Sequence, residues 1–488
     1  MKFILQISIL LLFLSGYSQE KEQLDKQAVQ FTAELLELKE FFQIPGLAVS
    51  IEKEGTVVYQ NYLGLADLEK SIPVNSKTLF PIASITKVFS GVLIMKLVEQ
   101  EKLSLNDAIN NYLPTPIVAD SILVKHVLSH TSQGNVGEAF YYSSRFGLLT
   151  KVIEKAANKS FSQVLQDEIL TPLELTNTFL LKDSTQIAGM ARPYVLNNGI
   201  ENGFIEYGFS TSAGIVSNIS DLARFNKALD NNTLISGNSK TLMFSSFKNT
   251  LPYGFGIFNQ TFEGLNMVWA YGQYDFYSGL FLKIPSKGLT LTILANNNLL
   301  SDPPRLIYGD AMSSLFVLSF LKNYVFNYKH LKLLENGKIS NQKNIESPQF
   351  FRKKLLAQAL STSFMARINP KNLPLSIKLL KIVFTAYPDY LEYADLNLLH
   401  TLTFIKEAVF FSGLGDFNDF DIQIENIGEK LLQNEPNNPY ANVYLGSYYA
   451  RKGINEKARF YFERIVNARN FDTNWYTREA RNWLNQNN

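Results

Sequence analysis

Residues Phe80-Pro81-Ile82-Ala83-Ser84-Ile85-Thr86-Lys87 decide how this chain is read, because a helical pattern follows them at once. A loop containing Pro81 opens into apolar residues at Val88, Val92, Met95 and Val98, interleaved with Phe89, Leu93 and Leu97. That pattern predicts an amphipathic helix beginning at the serine. The bare spacing Ser-x-x-Lys recurs at Ser18/Lys21, Ser50/Lys53, Ser245/Lys248, Ser319/Lys322 and Ser340/Lys343, so the spacing alone says little. Only at Ser84 does it coincide with a loop opening into a helix. Residues i and i+3 share a helix face, which brings the Ser84 hydroxyl to the Lys87 amine. Burial and the positive end of the helix dipole both depress an amine pKa, and a neutral amine serves as a base for a hydroxyl nucleophile.

Composition narrows the possible partners. The 488 residues leave room for two or three domains, and 46% hydrophobic content supports a sizeable core. A net charge of +2 from 46 basic and 44 acidic residues excludes a polyelectrolyte and argues against nucleic acid as a partner. Small molecules, peptides or proteins are the expected ones. The opening Met1-Lys2, the mainly apolar run Phe3 to Leu14 and the small residues Gly16 and Ser18 predict a signal peptide over residues 1–18. The run is well short of the ~20 residues that span a bilayer, and no later segment reads as transmembrane. With no cysteine, the chain has neither disulfides nor a lipid-anchored cysteine. The expectation is an exported protein, periplasmic or secreted.

Working outward from Ser84, residues 27–42 read as a helix ending before Pro45-Gly46. A hairpin follows, Leu47 to Lys53 and Thr56 to Tyr62, turning at Glu54-Gly55. Helices and loops fill residues 84–230. Strand patterns return at Tyr253–Asn259, Leu265–Ala270, Gly279–Ile284 and Leu289–Ala295, and Leu306–Val325 reads as a closing helix. The order predicts an α+β domain over residues 19–325, whose antiparallel sheet is assembled from both ends of the segment and flanked by helices. Residues 326–350 read as a polar linker. Residues 351–488 read as an all-α domain, in which Tyr444 to Gly453 with Ala458 and Phe462 has the spacing of one tetratricopeptide repeat.

Five further motifs join the Ser84 segment: His126-Val-Leu-Ser-His-Thr-Ser132, Gly147 to Glu154, Pro172 to Thr178, Ala213 to Phe225, and Trp269-Ala-Tyr-Gly-Gln273. Together they make residues 25–325 resemble the serine β-lactamase and penicillin-binding protein superfamily, nearest its class C and esterase branch. The resemblance implies a nucleophilic serine at Ser84, Lys87 as its base, a tyrosine with an asparagine two residues on, and a Lys- or His-x-Gly strand beside the pocket. Counting back from Leu148-Leu149 without a gap puts Tyr141 on the tyrosine and Ser143 on the asparagine, whereas Tyr142 with Ser144 requires a one-residue deletion. Ala270 stands where the superfamily carries lysine or histidine, with Tyr271, Gly272 and Gln273 completing the substrate-binding strand. The backbone N–H groups of Ser84 and Gln273 are implied as the oxyanion hole.

His126 and His130 lie four residues apart, but no glutamate follows His126 to make a zinc-protease helix, so no metal and no cofactor are expected. The sequence thus predicts a serine hydrolase that cleaves an ester, an amide or peptide, or a β-lactam, with the tail as a partner-binding module. A non-catalytic penicillin-recognising receptor is the alternative. Ala270, Ser143 and Gln273 favour the receptor, and the retained Ser84/Lys87 pair favours the enzyme.

Overall fold

A computed structural model describes residues 25–328, 330–335, 347–386, 395–414, 416 and 418–487. The expected signal peptide and the Asn336-Gly337-Lys338 part of the linker lie outside the described residues. Helix α1 covers residues 25–41. The chain then enters a seven-stranded sheet through β1 (Gly46–Lys53), β2 (Thr56–Asp67) and the short β3 (Ile72–Pro73). Helix α2 (Thr86–Glu99) follows the serine, and the sheet resumes only at β4 (Phe258–Phe262), β5 (Leu265–Gln273), β6 (Ser278–Ile284) and β7 (Leu289–Ala295).

Spatial order in the sheet is β3-β2-β1-β7-β6-β5-β4. The first hairpin pairs antiparallel with the last strand, Ala48 opposite Leu294 and Val49 opposite Ile293, so the two ends of the segment do close one sheet. Side chains alternate across it. Met267, Trp269 and Tyr271 of β5 join the core on the α1 face, while Val268 and Ala270 join the opposite core with α2.

Helix α2 departs from the amphipathic expectation. Of its residues only Lys96, Val98 and Glu99 escape full burial, because sheet and helical insert enclose it from both sides. A helix buried all round carries no single apolar stripe. The closing helix is also broken up. Leu306–Tyr308 and Ala311–Ser313 are separate 3-10 turns, and regular α-helix runs only from Leu315 to Phe320 before a wider π-helical turn.

Beyond residue 346 the described chain is helical: α3 (Pro348–Ala366), α4 (Leu373–Ala386), α5 (Leu396–Ser412), α6 (Asp421–Asn434), α7 (Pro439–Arg451), α8 (Asn455–Val466) and α9 (Trp475–Gln486). Successive helices pack against one another. A Cβ on Gly446 of α7 would lie 2.7 Å from the Phe462 ring of α8, so glycine is what lets this pair approach. The helices do not form a free-standing core. One apolar cluster runs from Phe31 and Leu282 through Phe316 to Leu355, Leu402 and Tyr448, joining sheet and helices in a single hydrophobic body. Among the described residues no helix is long and apolar enough to cross a membrane.

Candidate active site

Ser84 sits in a 3-10 turn, Ala83–Ile85, that runs directly into α2. Ala83 adopts a left-handed backbone with φ of 45°, a conformation that costs an L-residue roughly 1–2 kcal/mol. From Phe80 to Ser90 only Ser84 is not fully buried. The turn thus exposes the hydroxyl while anchoring both neighbours. Strand β5 crosses this turn closely. A Cβ on Gly272 would lie 2.2 Å from the Ile82 carbonyl oxygen, so the strand can pass only as glycine. The β4 partner of β5 stops at Trp269 opposite Phe258, which leaves the β5 edge from Ala270 to Gln273 without a strand on that side.

Lys87 lies with its Nζ 2.8 Å from Ser84 Oγ, and it donates to the Ser212 carbonyl at 3.0 Å. Its side chain is closed in by the rings of Tyr142, centroid 4.8 Å away, and Phe146, at 5.5 Å. Among the described residues no carboxylate compensates the burial, and desolvation lowers the amine from 10.5 to about 7. At neutral pH a large fraction is therefore the free base, which can accept the serine proton while still donating to Ser212.

The pocket tyrosine is Tyr142, and the gapless count that favoured Tyr141 is corrected by the structure. Tyr142 hydrogen-bonds Ser84 and Tyr271 and lines the cavity above the serine. Burial pushes its phenol up, partly offset by those two hydrogen bonds, so it rests protonated and does not become the phenolate that nearby cations would favour. Tyr141 points the other way. Its hydroxyl donates to Glu435, at the end of α6, and its ring meets Phe471 edge-on at 4.9 Å. Consecutive residues in an extended segment face opposite sides, and the helical region takes the first of the two.

Ser143 does not reach the cavity either. It accepts from Arg145 N as the cap of a 3-10 turn, and both its hydroxyl and that of Ser144 donate to Asp472. Neither position therefore offers an amide-like group to a ligand. Ala270 is buried in the core with α2, while Tyr271 and Gln273 line the cavity on the other face of β5. His130, two residues before the motif's Ser132, stacks on Tyr142 at 4.3 Å and accepts from Ser143 N through Nδ1, which fixes the tyrosine ring from behind. His126 accepts from Leu123 N and closes the start of its own short helix.

Sequence reasoning missed Arg305, which lines the same cavity and is held by Asp302 at 2.6 Å and by His400 Nε2 at 3.1 Å. It also missed the far wall. The cavity has a volume of about 620 Å³, and residues of α5, α7 and α9 close it opposite Ser84. They carry no motif, so no local signal marks them.

The chain is 25% identical over 301 residues to Protein flp of Staphylococcus aureus strain MW2, covering 52% of this chain and 60% of that one. It therefore spans about three fifths of that relative's length. Penicillin-binding protein 4* of Bacillus subtilis strain 168 is 24% identical over 315 residues, covering 53% of this chain and 69% of its own. Among solved structures, the octameric penicillin-binding protein homologue from Pyrococcus abyssi superposes with a TM-score of 0.55 at 23% identity, over 67% of this chain and 80% of that one. That likeness establishes a shared fold. A family model described as Beta-lactamase matches residues 37–309, which contain Ser84, Lys87, Tyr142 and Gln273 and make up more than half of the chain, so this chain belongs to the Beta-lactamase family.

Proposed function

We propose that this protein is an exported serine hydrolase working through an acyl-enzyme on Ser84. The observation that carries the reading is the buried Lys87 amine 2.8 Å from Ser84 Oγ, with no carboxylate among the described residues to hold it charged. Neutral Lys87 accepts the serine proton as Oγ attacks the substrate carbonyl carbon. The N–H groups of Ser84 and Gln273 hold the resulting oxyanion. As the bond to the leaving group breaks, Tyr142 gives its proton to the departing oxygen or nitrogen and is reprotonated from the Lys87 ammonium. Water then attacks the acyl-enzyme by the same relay in reverse, which regenerates Ser84. Esters, amides or peptides, and β-lactams all fit this sequence.

Mass spectrometry after exposure to a fluorophosphonate tests the reading. A covalent adduct on Ser84 is the expected result. The receptor alternative draws support from the engagement of Ser143 and Ser144 by Asp472, and an unlabelled Ser84 in the folded protein would favour it. Export rests on the leader pattern of residues 1–18, and N-terminal sequencing of the secreted protein should begin at Gln19.

A further inference from the structure

The helical region faces the candidate nucleophile with alternate helices. Phe404 and Glu407 project from α5, Tyr444 and Arg451 from α7, and Trp475 and Glu479 from α9, all into the cavity that contains Ser84. Helices α6 and α8 supply none of its lining. This is the arrangement in which a stack of helix pairs presents one inner face to a ligand. Here that face is turned onto the reacting serine.

The chemistry of the face is uneven. Its aromatic surface includes Phe404, Tyr440, Tyr444 and Trp475, with Tyr444 and Trp475 ring centroids 6.2 Å apart. Its arginine is already paired, Arg451 with Glu407 at 2.9 Å, and so is the arginine of the sheet-bearing region that lines the cavity, Arg305 with Asp302 at 2.6 Å. The cavity's anions are in surplus: among the described residues Glu479 of the face accepts from the Ser447 hydroxyl at 2.6 Å and has no ion pair, and neither do Glu206 and Asp275 on the sheet side. Aromatic faces and uncompensated carboxylates around one cavity attract an ammonium group by cation–π and charge interactions together.

We infer that the helical region is the specificity wall of this active site, and that it selects acyl donors whose chain carries an ammonium group. The inference rests on the acyl-enzyme reading above and adds the substrate class to it. The balanced step is unchanged: Ser84 Oγ bonds to the acyl carbon, and the leaving group departs with one proton. The ammonium takes no part in the bond changes and remains against the aromatic and carboxylate wall.

The test uses the full chain and a matched series of nitrophenyl esters with acyl chains ending in ammonium, acetamide or carboxylate. The expected kcat/KM order is ammonium, then acetamide, then carboxylate, with ammonium ahead of acetamide by about tenfold. That ratio should shrink at least about threefold in Glu479→Gln and in Trp475→Ala, two exposed positions, and should shrink with added salt. Equal rates for the ammonium and acetamide esters overturn the inference, as does a preference that both variants leave intact. Fluorophosphonate labelling separates the two levels of failure. A labelled Ser84 with no ammonium preference removes only the inference, whereas an unlabelled Ser84 with no ester turnover removes both readings.

Discussion

The two regions of this chain contribute to one cavity in different ways. The sheet-bearing region supplies the candidate reacting groups, which are close in sequence as well as in space: Ser84 and Lys87 are one turn apart, and Gln273 follows the Gly272 that lets β5 cross their turn. The helical region supplies a wall whose members are scattered over α5, α7 and α9 and become neighbours only when those helices stack. Chemistry that depends on sub-ångström geometry sits on a short rigid segment, whereas selectivity that depends on charge and shape can be spread over a large surface. If that division is right, substitutions in the first region should reduce turnover of every substrate, and substitutions in the second should change which substrate wins.

The largest effect should come from Lys87→Ala. Removing the base should lower kcat/KM for a small neutral ester by about 10³-fold or more, since general base catalysis contributes about 10²–10⁴. Circular dichroism should show the fold retained. Near-parental ester turnover by a folded Lys87→Ala protein would break the comparison at its strongest point.

Next in size is the contrast between two adjacent tyrosines. Tyr142→Phe removes a proton relay beside Ser84 and should reduce kcat about 10²-fold with little change in melting temperature. Tyr141→Phe leaves the half-buried Glu435 carboxylate without its hydroxyl partner but with its bond from Asn438, and should cost about 1 kcal/mol of stability while kcat stays within about threefold. A reversed outcome would restore the gapless count from Leu148-Leu149.

Those tyrosines also mark where the sequence stopped being informative. The Ser84/Lys87 pair was legible because an i,i+3 relation is local and survives any tertiary detail. The first hairpin and the strands β5, β6 and β7 were legible from alternation and from the glycine turn at Gly55, which has φ of 74°, whereas the strand expected over Tyr253–Asn259 begins only at Phe258 and runs on to Phe262. The choice between Tyr141 and Tyr142 was not local. It depends on Glu435, 294 residues further on, and on Phe471, neither of which belongs to any motif of the catalytic region. Burial of α2 on every side was hidden for a related reason, because its second apolar face meets an insert whose position only the assembled fold defines. Arg305 stood just before the stretch read as helix and in no motif, and its left-handed backbone, φ 47°, precedes a short 3-10 turn and places the guanidinium on Asp302.

A pH profile sharpens the catalytic half of the comparison. Burial lowers Lys87 to about 7, and the base works only when neutral. Activity per unit of substrate, kcat/KM, should therefore rise with pH through about 7 and flatten above it. Below that point it should fall about tenfold per pH unit. A profile flat from pH 5 to 9 would mean that another group takes the serine proton. Substitutions in the helical wall should leave the position of this limb unmoved, since none of its charges contributes to the lowering of Lys87.

The smallest effect concerns the joint between the regions. Arg145 Nε pairs with Asp472 Oδ1 at 2.8 Å, Asp472 N donates to Gln133 Oε1 at 2.7 Å, and Asn470 Nδ2 donates to the Gly134 carbonyl at 3.1 Å. These bonds tie the segment before α9 to the loop that carries Tyr142. Asp472→Asn keeps the hydrogen-bonding shape but removes the charge, and a partly exposed ion pair is worth only about 0.2–1 kcal/mol. Small esters that do not reach α9 should therefore react within about twofold of the parent rate. Longer acyl chains that depend on Trp475 and Glu479 should lose about three- to fivefold, because a loss near 1 kcal/mol in holding the wall appears only in substrates that use it. Equal losses for short and long chains would show that the joint acts through Tyr142 itself, so that wall and reacting groups form one mechanical unit. Equal retention of both would show that the apolar body shared by sheet and helices, with Phe316, Leu355 and Leu402 at its centre, is sufficient to hold the wall in place.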